Sequence, residues 1–579
     1  MEPLRTFAKS ATLALVFFLA LSETDRVRPT SRAPSVAAAA TAASAFAPDA
    51  NRTLSPNGLA ELQSLVSAAN LPDLRWPDFS TCRKTVAEVY AVSDNQLIWI
   101  AGSRPTPQAL AMIRALESAA REGLDAGDYD GPRWPARVAA LDRTQSVAES
   151  ALVRFDLALT VSSLRYAADL RFGRMQSWRF HSEFVLERER IGLARFVLDR
   201  LSRAPAIEPA LHELEPLFPP YERTRAALER YEKLAREYGS EPLPVPRKTV
   251  EPGGVYAGVP QLARLLRLLG DLPAGATIPP GNVYSGALVA AVKHFQIRHG
   301  LDVDGRIGRQ TFEELNTPLS RRVEQLRLAL ERWRWLPRSF ARPPIVVNIP
   351  EFRLHAMDGD HRQAFSMKVV VGKAYGHQTP VFSTQIRGVI FRPYWEVPLS
   401  IQIKELVRDI RKHPGYLAKH DYEVVDERRR VVSEGAVNPQ ILQGLASGSL
   451  FARQRPGPKN SLGLMKLDMP NSYDVYMHGT PATALFSKTR RDFSHGCIRV
   501  EDPVALAAWV LRDVPGWNAD RVLAAMNGES TFRVPIAKPI PVLIVYSTAV
   551  VADNGDVYFF RDIYHLDADL QSAIERRQP

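Results

Sequence analysis

The hydrophobic period of this chain changes near residue 340, and that change limits what it can fold into. From about 60 to 240, and again from 255 to 333, apolar residues recur at helical spacing. Examples are Ala109, Ile113, Leu116 and Ala120, then Leu262, Leu265, Leu266 and Leu269, then Leu288, Val292 and Phe295, then Val323, Leu326, Leu330 and Trp333. Beyond Ile345 the apolar runs are short and rich in β-branched residues. Ile345–Ile349, Phe352–Met357 and Met367–Val371 read as strands, with Asp358-Gly359-Asp360 as a hairpin turn. One core cannot serve both periods, so the pattern implies a multidomain α+β protein.

The boundaries follow from composition. Residues 59–240 form a helical domain. Several prolines and Gly253-Gly254 mark a linker over 240–258. A small helical domain spans 255–317, with a third helix opening at Thr311, Phe312 and Leu315. The helix around Val323–Trp333 carries Arg321, Arg322 and Arg327 on a basic opposite face. A β-rich domain runs from 340 to 536, and residues 537–579 form an extension. Its strand-like Pro541–Tyr546 and Asp556–Phe559 would complete the sheet or pack on the helical domain. Inside the β-rich domain an insertion at about 400–462 separates Trp395 from the strand-like Gly463–Leu467. It holds a helix-like Gln402–Arg411 and a loop Gln454–Asn460. Insertions between strands often cover a site, so it reads as a lid.

The N-terminus has its own logic. Arg5 and Lys9 precede the apolar run Ala11–Leu21. Spanning a bilayer takes about 20 apolar residues, so residues 1–22 read as a secretory signal peptide with Ala20-Leu21-Ser22 as a cleavage position. An uncleaved anchor is the alternative. Residues 23–58 form a low-complexity leader rich in Ala, Ser, Thr and Pro. The net charge of +11 suits polyanionic partners. No nucleic-acid motif accompanies it, and an exported chain meets carboxylate-bearing wall peptides first. Only two cysteines are present. A bridge between them would disable Cys497, so Cys82 is expected to be free, buried and a packing residue.

The chemistry concentrates in Ser494-His495-Gly496-Cys497-Ile498-Arg499-Val500, with His478-Gly479-Thr480 upstream. A thiol attacks carbonyls as the thiolate and needs a base. His495 and His478 are the candidates. His478 is favoured, because a partner on an adjacent strand is oriented independently of the nucleophile. Its other ring nitrogen needs an acceptor, and the Gly479 carbonyl is a plausible one. Gly496 permits unusual dihedrals, so N–H groups near Gly496 and Cys497 could face an oxyanion, worth roughly 3–4 kcal/mol per donor. Arg499 could bind a substrate carboxylate or pair with Glu501 or Asp502. No further Cys or His pair at ligand spacing supports a metal site, and no cofactor motif is present.

His478-Gly479-Thr480, the following loop and Ser494-His495-Gly496-Cys497-Ile498-Arg499 closely resemble the signature of L,D-transpeptidases with the YkuD-type catalytic domain. Ile345-Val346-Val347-Asn348, Val369-Val370-Val371-Gly372-Lys373, Thr379-Pro380 and Pro393–Pro398 resemble the body of that domain. Leu97-Ile98-Trp99, Arg104-Pro105, Gly123-Leu124-Asp125 and Asp128-Tyr129 resemble the helical scaffold domain of the YcbB-like multidomain subgroup. Phe295-Gln296, Gly300-Leu301, Asp304-Gly305, Gly308 and Thr311 resemble the small peptidoglycan-binding domain.

The resemblance implies Cys497 as nucleophile and His478 as general base and acid. Ser494, His495, Gly496, Gly479 and Arg499 would form the pocket, and Tyr394, Trp395 and Tyr476 are candidate cleft walls. It implies 3-3 crosslinking of peptidoglycan through a thioester, with release of D-alanine from a tetrapeptide stem in the periplasm. Carbapenem-type β-lactams would acylate the cysteine, and other cell-wall synthesis enzymes are possible partners. An L,D-carboxypeptidase, a non-catalytic wall-binding protein, and an enzyme attaching protein amines to the wall are the alternatives.

Overall fold

The computed structural model describes residues 53–142, 147–175, 182–183, 191–238, 242–278, 280–340, 342–359 and 362–577. The apolar run Ala11–Leu21, its cleavage position and Asp360 of the hairpin lie outside these residues. Among the described residues no helix is long and apolar enough to cross a membrane.

The N-terminal region packs around one helix, Glu149–Phe172, which is buried along most of its length. Apolar residues on all its faces require that burial. Pro56–Ala68, Arg83–Val92 and Pro107–Glu117 surround it. Its two buried carboxylates are bonded rather than solvated. Asp156 accepts the Tyr90 hydroxyl at 2.8 Å and the Trp99 amide at 2.7 Å, and burial pushes its pKa up to about 7. Asp169 accepts two bonds from Arg577 at 2.7 Å, which ties the far C-terminus into this region. Cys82 is free but only half-buried, against the edge of this core. It starts the Arg83–Val92 helix, and that position keeps it nearer the surface than expected.

The small helical region has its own core, built by Val259–Leu269, Ala287–Arg298 and Arg309–Leu315. Its motif residues are spent on one another. The Gln296 amide donates to Asp304 and Thr311 at 2.9 and 3.2 Å and accepts the Gly305 N–H at 2.8 Å. These bonds build the turn, so the motif is a folding signature.

Helix Leu319–Trp333 is the spine between regions. The basic face read from sequence is only partly solvated there. Arg322 is buried, bonded to Glu314 at 2.6 Å and lying over the Phe559 ring at 4.8 Å. Arg327 pairs with Glu232 of helix Pro219–Tyr238 at 2.6 Å. Phe559 and Glu232 come from distant segments, which a helical wheel does not reveal.

Eight strands close the β-rich region: β1 Ile345–Asn348, β2 Arg353–Met357, β3 Gln363–Gly372, β4 Val381–Phe391, β5 Met465–Asp468, β6 Met477–His478, β7 Ile498–Val500 and β8 Phe532–Val545; Ser182–Glu183 and Asp492–Ser494 add short parallel pairings to β4 and β3. The order is β5-β6-β7-β3-β2-β1-β8-β4, and β4 pairs back to β5. β6 and β7 are parallel, as are β1 and β8; the other pairs are antiparallel. Closure removes open edges and encloses the core of Val347, Leu354, Val371, Met465, Ile498 and Ile544. β8 passes without a break through residues 536 and 537, where the sequence suggested a boundary. Pro535 and Ile540 flank its register shift, and a bulge is where proline is tolerated within a sheet. The extension therefore begins inside the barrel. It continues as a hairpin, Ala549–Val551 with Val557–Phe559, packed on helices Pro219–Tyr238 and Leu319–Trp333.

The insertion between β4 and β5 is a small folded unit. Strands 431–433, 422–425, 451–454 and 395–396 form a sheet in that order. Helical turns over 399–412 and helix Pro439–Ser447 cover it, with Leu406, Ile410, Leu417, Val424, Leu445 and Ala452 as core. The Gln454–Asn460 segment is anchored at both ends. Gln454 donates to the His420 and Lys459 carbonyls, and Asn460 to the Pro393 and Arg455 carbonyls, at 2.9–3.1 Å.

Candidate active site

His478 ends β6, facing Lys466 on β5 and Arg499 on β7 in register. Because β6 and β7 are parallel, residues 479–497 make a crossover instead of a hairpin. The His478 ring is 4% exposed, and its Nδ1–H donates to the Gly479 carbonyl at 2.5 Å. That bond assigns the proton to Nδ1 and leaves the Nε2 lone pair for a substrate or thiol proton. Burial, with the Arg499 charge second, pushes the pKa of His478 down to about 3. The imidazole is therefore a neutral acceptor at working pH. Gly463 stands behind this turn at φ 66°, where a Cβ would sit 2.6 Å from the Thr480 nitrogen and 2.7 Å from the Gly479 carbonyl carbon.

Cys497 is presented by a turn made from its neighbours. The Ser494 hydroxyl donates to the Cys497 carbonyl at 2.6 Å and accepts the Gly496 N–H at 3.1 Å. Gly496 has φ 119°, a region that favours glycine. Thr379 donates to the Gly496 carbonyl at 2.7 Å and accepts the Gly372 N–H at 2.9 Å. Tyr564 of the C-terminal extension donates to the Gly372 carbonyl at 2.5 Å. The Gly496 N–H is thus occupied by Ser494, which makes Ser494 a builder of the turn and removes one of the oxyanion donors expected from sequence.

The thiol donates to the Asp474 carbonyl at 3.7 Å. Burial raises its pKa; the Tyr476 backbone N–H and hydroxyl, then Lys466 and Arg499, pull against that rise. Burial thus keeps both the Cys497 thiol and the His478 imidazole uncharged at neutral pH. Lys466 lies 3.6 Å over the Tyr476 ring, and burial lowers its pKa. Arg499 is half-buried with Nε unbonded. Glu501 pairs instead with Lys368, and Asp502 caps helix Pro503–Val510.

The aromatic candidates divide. The Tyr476 ring lies 5.8 Å from that of His478, and burial, then the Cys497 charge, raises its pKa; Trp395 packs against the insertion's core. Tyr394 is 40% exposed beneath the Arg453 guanidinium. His495 turns away from the thiol side: its Nε2 lies 2.8 Å from Glu405 of the insertion, and its ring centroid is 4.7 Å from that of His377. Burial, then the neighbouring His495, lowers the pKa of His377.

Arg491 holds the crossover to the barrel. It donates to the Val369, Phe352, Lys488 and Thr489 carbonyls at 2.6–3.2 Å, and burial, then the Arg353 charge, lowers its pKa to about 10 against the pull of Glu501 and Glu351. Arg491→Ala strands those acceptors and is expected to cost about 3 kcal/mol. Chemical denaturation should show the lower midpoint; an unchanged midpoint would remove Arg491 from this role.

Residues 342–536 match the family described as the L,D-transpeptidase catalytic domain. The chain carries a YkuD-family L,D-transpeptidase domain. Residues 84–228 match the scaffold domain, and 256–315 match a domain provisionally named peptidoglycan binding. A curated Haemophilus influenzae protein, provisionally named an L,D-transpeptidase, is 29% identical over 303 residues. That alignment covers 51% of this chain, which spans 60% of the relative's length. A crystal structure of an L,D-transpeptidase from Xylanimonas cellulosilytica aligns at 17% identity over 53% of this chain and 100% of that one. Its TM-score is 0.16, too low to bear on the fold.

Within this L,D-transpeptidase domain, sequence reading passed over Lys466, Gly463, Arg491, Glu405 and His377, and in the extension it passed over Tyr564. Lys466 alternates with buried Met465 and Leu467 on a strand, which is the one local sign that it points elsewhere. The others act through contacts that no local pattern encodes.

Proposed function

We propose that this protein forms 3-3 crosslinks in peptidoglycan through a Cys497 thioester. The observation that carries this is His478, neutral, tied at Nδ1 and held in register beside the strand that follows Cys497. His478 Nε2 takes the thiol proton as Sγ attacks the carbonyl between the third and fourth stem residues. The Cys497 N–H remains available to the oxyanion. Collapse breaks the C–N bond, and His478 returns the proton to the departing D-alanine amine. The thioester then meets the side-chain amine of a second stem. His478 accepts that amine's proton and returns it to sulfur as the new amide forms. Arg499, unpaired beside the thiol, is suited to a stem carboxylate.

The insertion reaches the Cys497 turn through Glu405 and His495, a position from which a lid excludes water and favours transfer over hydrolysis. The matched wall-binding and catalytic families fit an extracytoplasmic enzyme; export to the periplasm, tethered if the signal is uncleaved, belongs to this proposal. So do peptidoglycan stems as substrate, carbapenem-type inhibitors and contact with other wall-synthesis enzymes.

The test is incubation of the exported form with disaccharide-tetrapeptide, read by mass spectrometry beside Cys497→Ala. Dimers lacking one D-alanine, absent in the variant, are expected. Tripeptide monomer alone would replace transfer with carboxypeptidase action. No turnover by the wild type would leave the wall-binding reading.

A further inference from the structure

We propose that His377, Glu405 and His495 form a binding site for a divalent transition metal of the zinc class, bridging the insertion to the nucleophile loop. The three residues come from separate segments: the loop after β3, the helical turns of the insertion, and the turn that presents Cys497. One ligand atom of each lies within 4.8 Å of the others, and all three side chains are half-buried. His495 Nε2 and Glu405 are already 2.8 Å apart, and the two imidazoles meet edge to face at 4.7 Å.

Two imidazoles and one carboxylate are a zinc donor set with a fourth position left for water. Tetrahedral zinc holds its donors roughly 3.3–3.5 Å apart, given Zn–N and Zn–O lengths of about 2.0–2.1 Å. The ligand atoms lie within 4.8 Å of one another, so binding would draw them closer by side-chain rotation. Lys373 and Lys404 are the nearby cations and oppose a metal; Glu405 supplies the compensating charge. The helix around Glu405 is under-wound into a π turn at Gln402–Leu406, a distortion often found at functional positions. The site is distinct from the thiol pocket, since neither Cys497 nor His478 contributes a donor. A bound ion would fix the insertion to the turn two residues before the nucleophile.

The experiment uses the untagged full chain, stripped with chelator and titrated with Zn²⁺ by calorimetry. One ion per chain is expected. His377→Ala and Glu405→Gln should each weaken binding by about tenfold or more, and Cys497→Ala should leave it unchanged. Co²⁺ in place of Zn²⁺ should give visible d–d bands without a thiolate charge-transfer band. No stoichiometric binding would overturn the proposal. Binding lost in Cys497→Ala but kept in His377→Ala would also overturn it. Neither readout involves turnover, so failure here is separable from failure of the transpeptidase proposal.

Discussion

Replacing His478 with Gln is expected to slow acylation of Cys497 by about 10²–10⁴-fold, the usual contribution of a positioned base. The measurement is the rate of covalent mass gain with a carbapenem or a tetrapeptide donor. The pH profile carries a second signature. A base is competent above its pKa, and that of His478 is about 3, so the wild-type rate should not fall between pH 7 and pH 5. It should rise at alkaline pH, because burial places Cys497 ionisation above the ordinary thiol range. An acid limb centred near pH 6.5 and lost in His478→Gln would show a solvated imidazole and refute this electrostatic picture. The same depressed pKa affects folding. The unfolded chain binds the proton that buried His478 refuses, so stability falls as pH drops from about 6.5 toward 3.

Gly463→Ala is expected to damage both stability and chemistry. At φ 66° the new Cβ meets backbone atoms of residues 479 and 480 at 2.6–2.7 Å. Backbone on both sides cannot swing away as a side chain would. The strained conformation alone costs about 1–3 kcal/mol, and any relief moves the Gly479 carbonyl that orients His478. Thermal unfolding and acylation should fall together. Gly415→Ala, with no atom within 4 Å of its Cβ and no positive φ, serves as the neutral control. A Gly463→Ala protein with wild-type melting and acylation would show that the turn has slack.

Much of the architecture was legible because period and punctuation agree. The helices at Pro107–Glu117, Val259–Leu269 and Ala287–Arg298 bury the apolar residues that their spacing selected. β1, β2 and β3 lie where β-branched runs place them. What failed was long-range. Arg322 looks solvated on a helical wheel and is buried by a hairpin two hundred-odd positions later in the chain. β8 carries Pro535, Pro539 and Pro541, which locally argue against a long strand. Pairing with β4 and β1 overrides that preference. In the site, proximity of His478 to the Cys497 turn follows from motif order. The occupation of the Gly496 N–H by Ser494, and the turn of His495 toward Glu405, depend on side-chain partners outside the motif.

β8 is the strand that closes the barrel. It lies between β1 and β4, so the barrel stays open until residues 532–545 exist. Tyr564, which props the Gly372 end of the nucleophile turn, is made later still. Pairings between such distant segments form slowly. Until β8 pairs, the turn that carries Cys497 lacks both the closed barrel and its Tyr564 contact. Docking of this late segment therefore sets when the thiol reaches its buried setting.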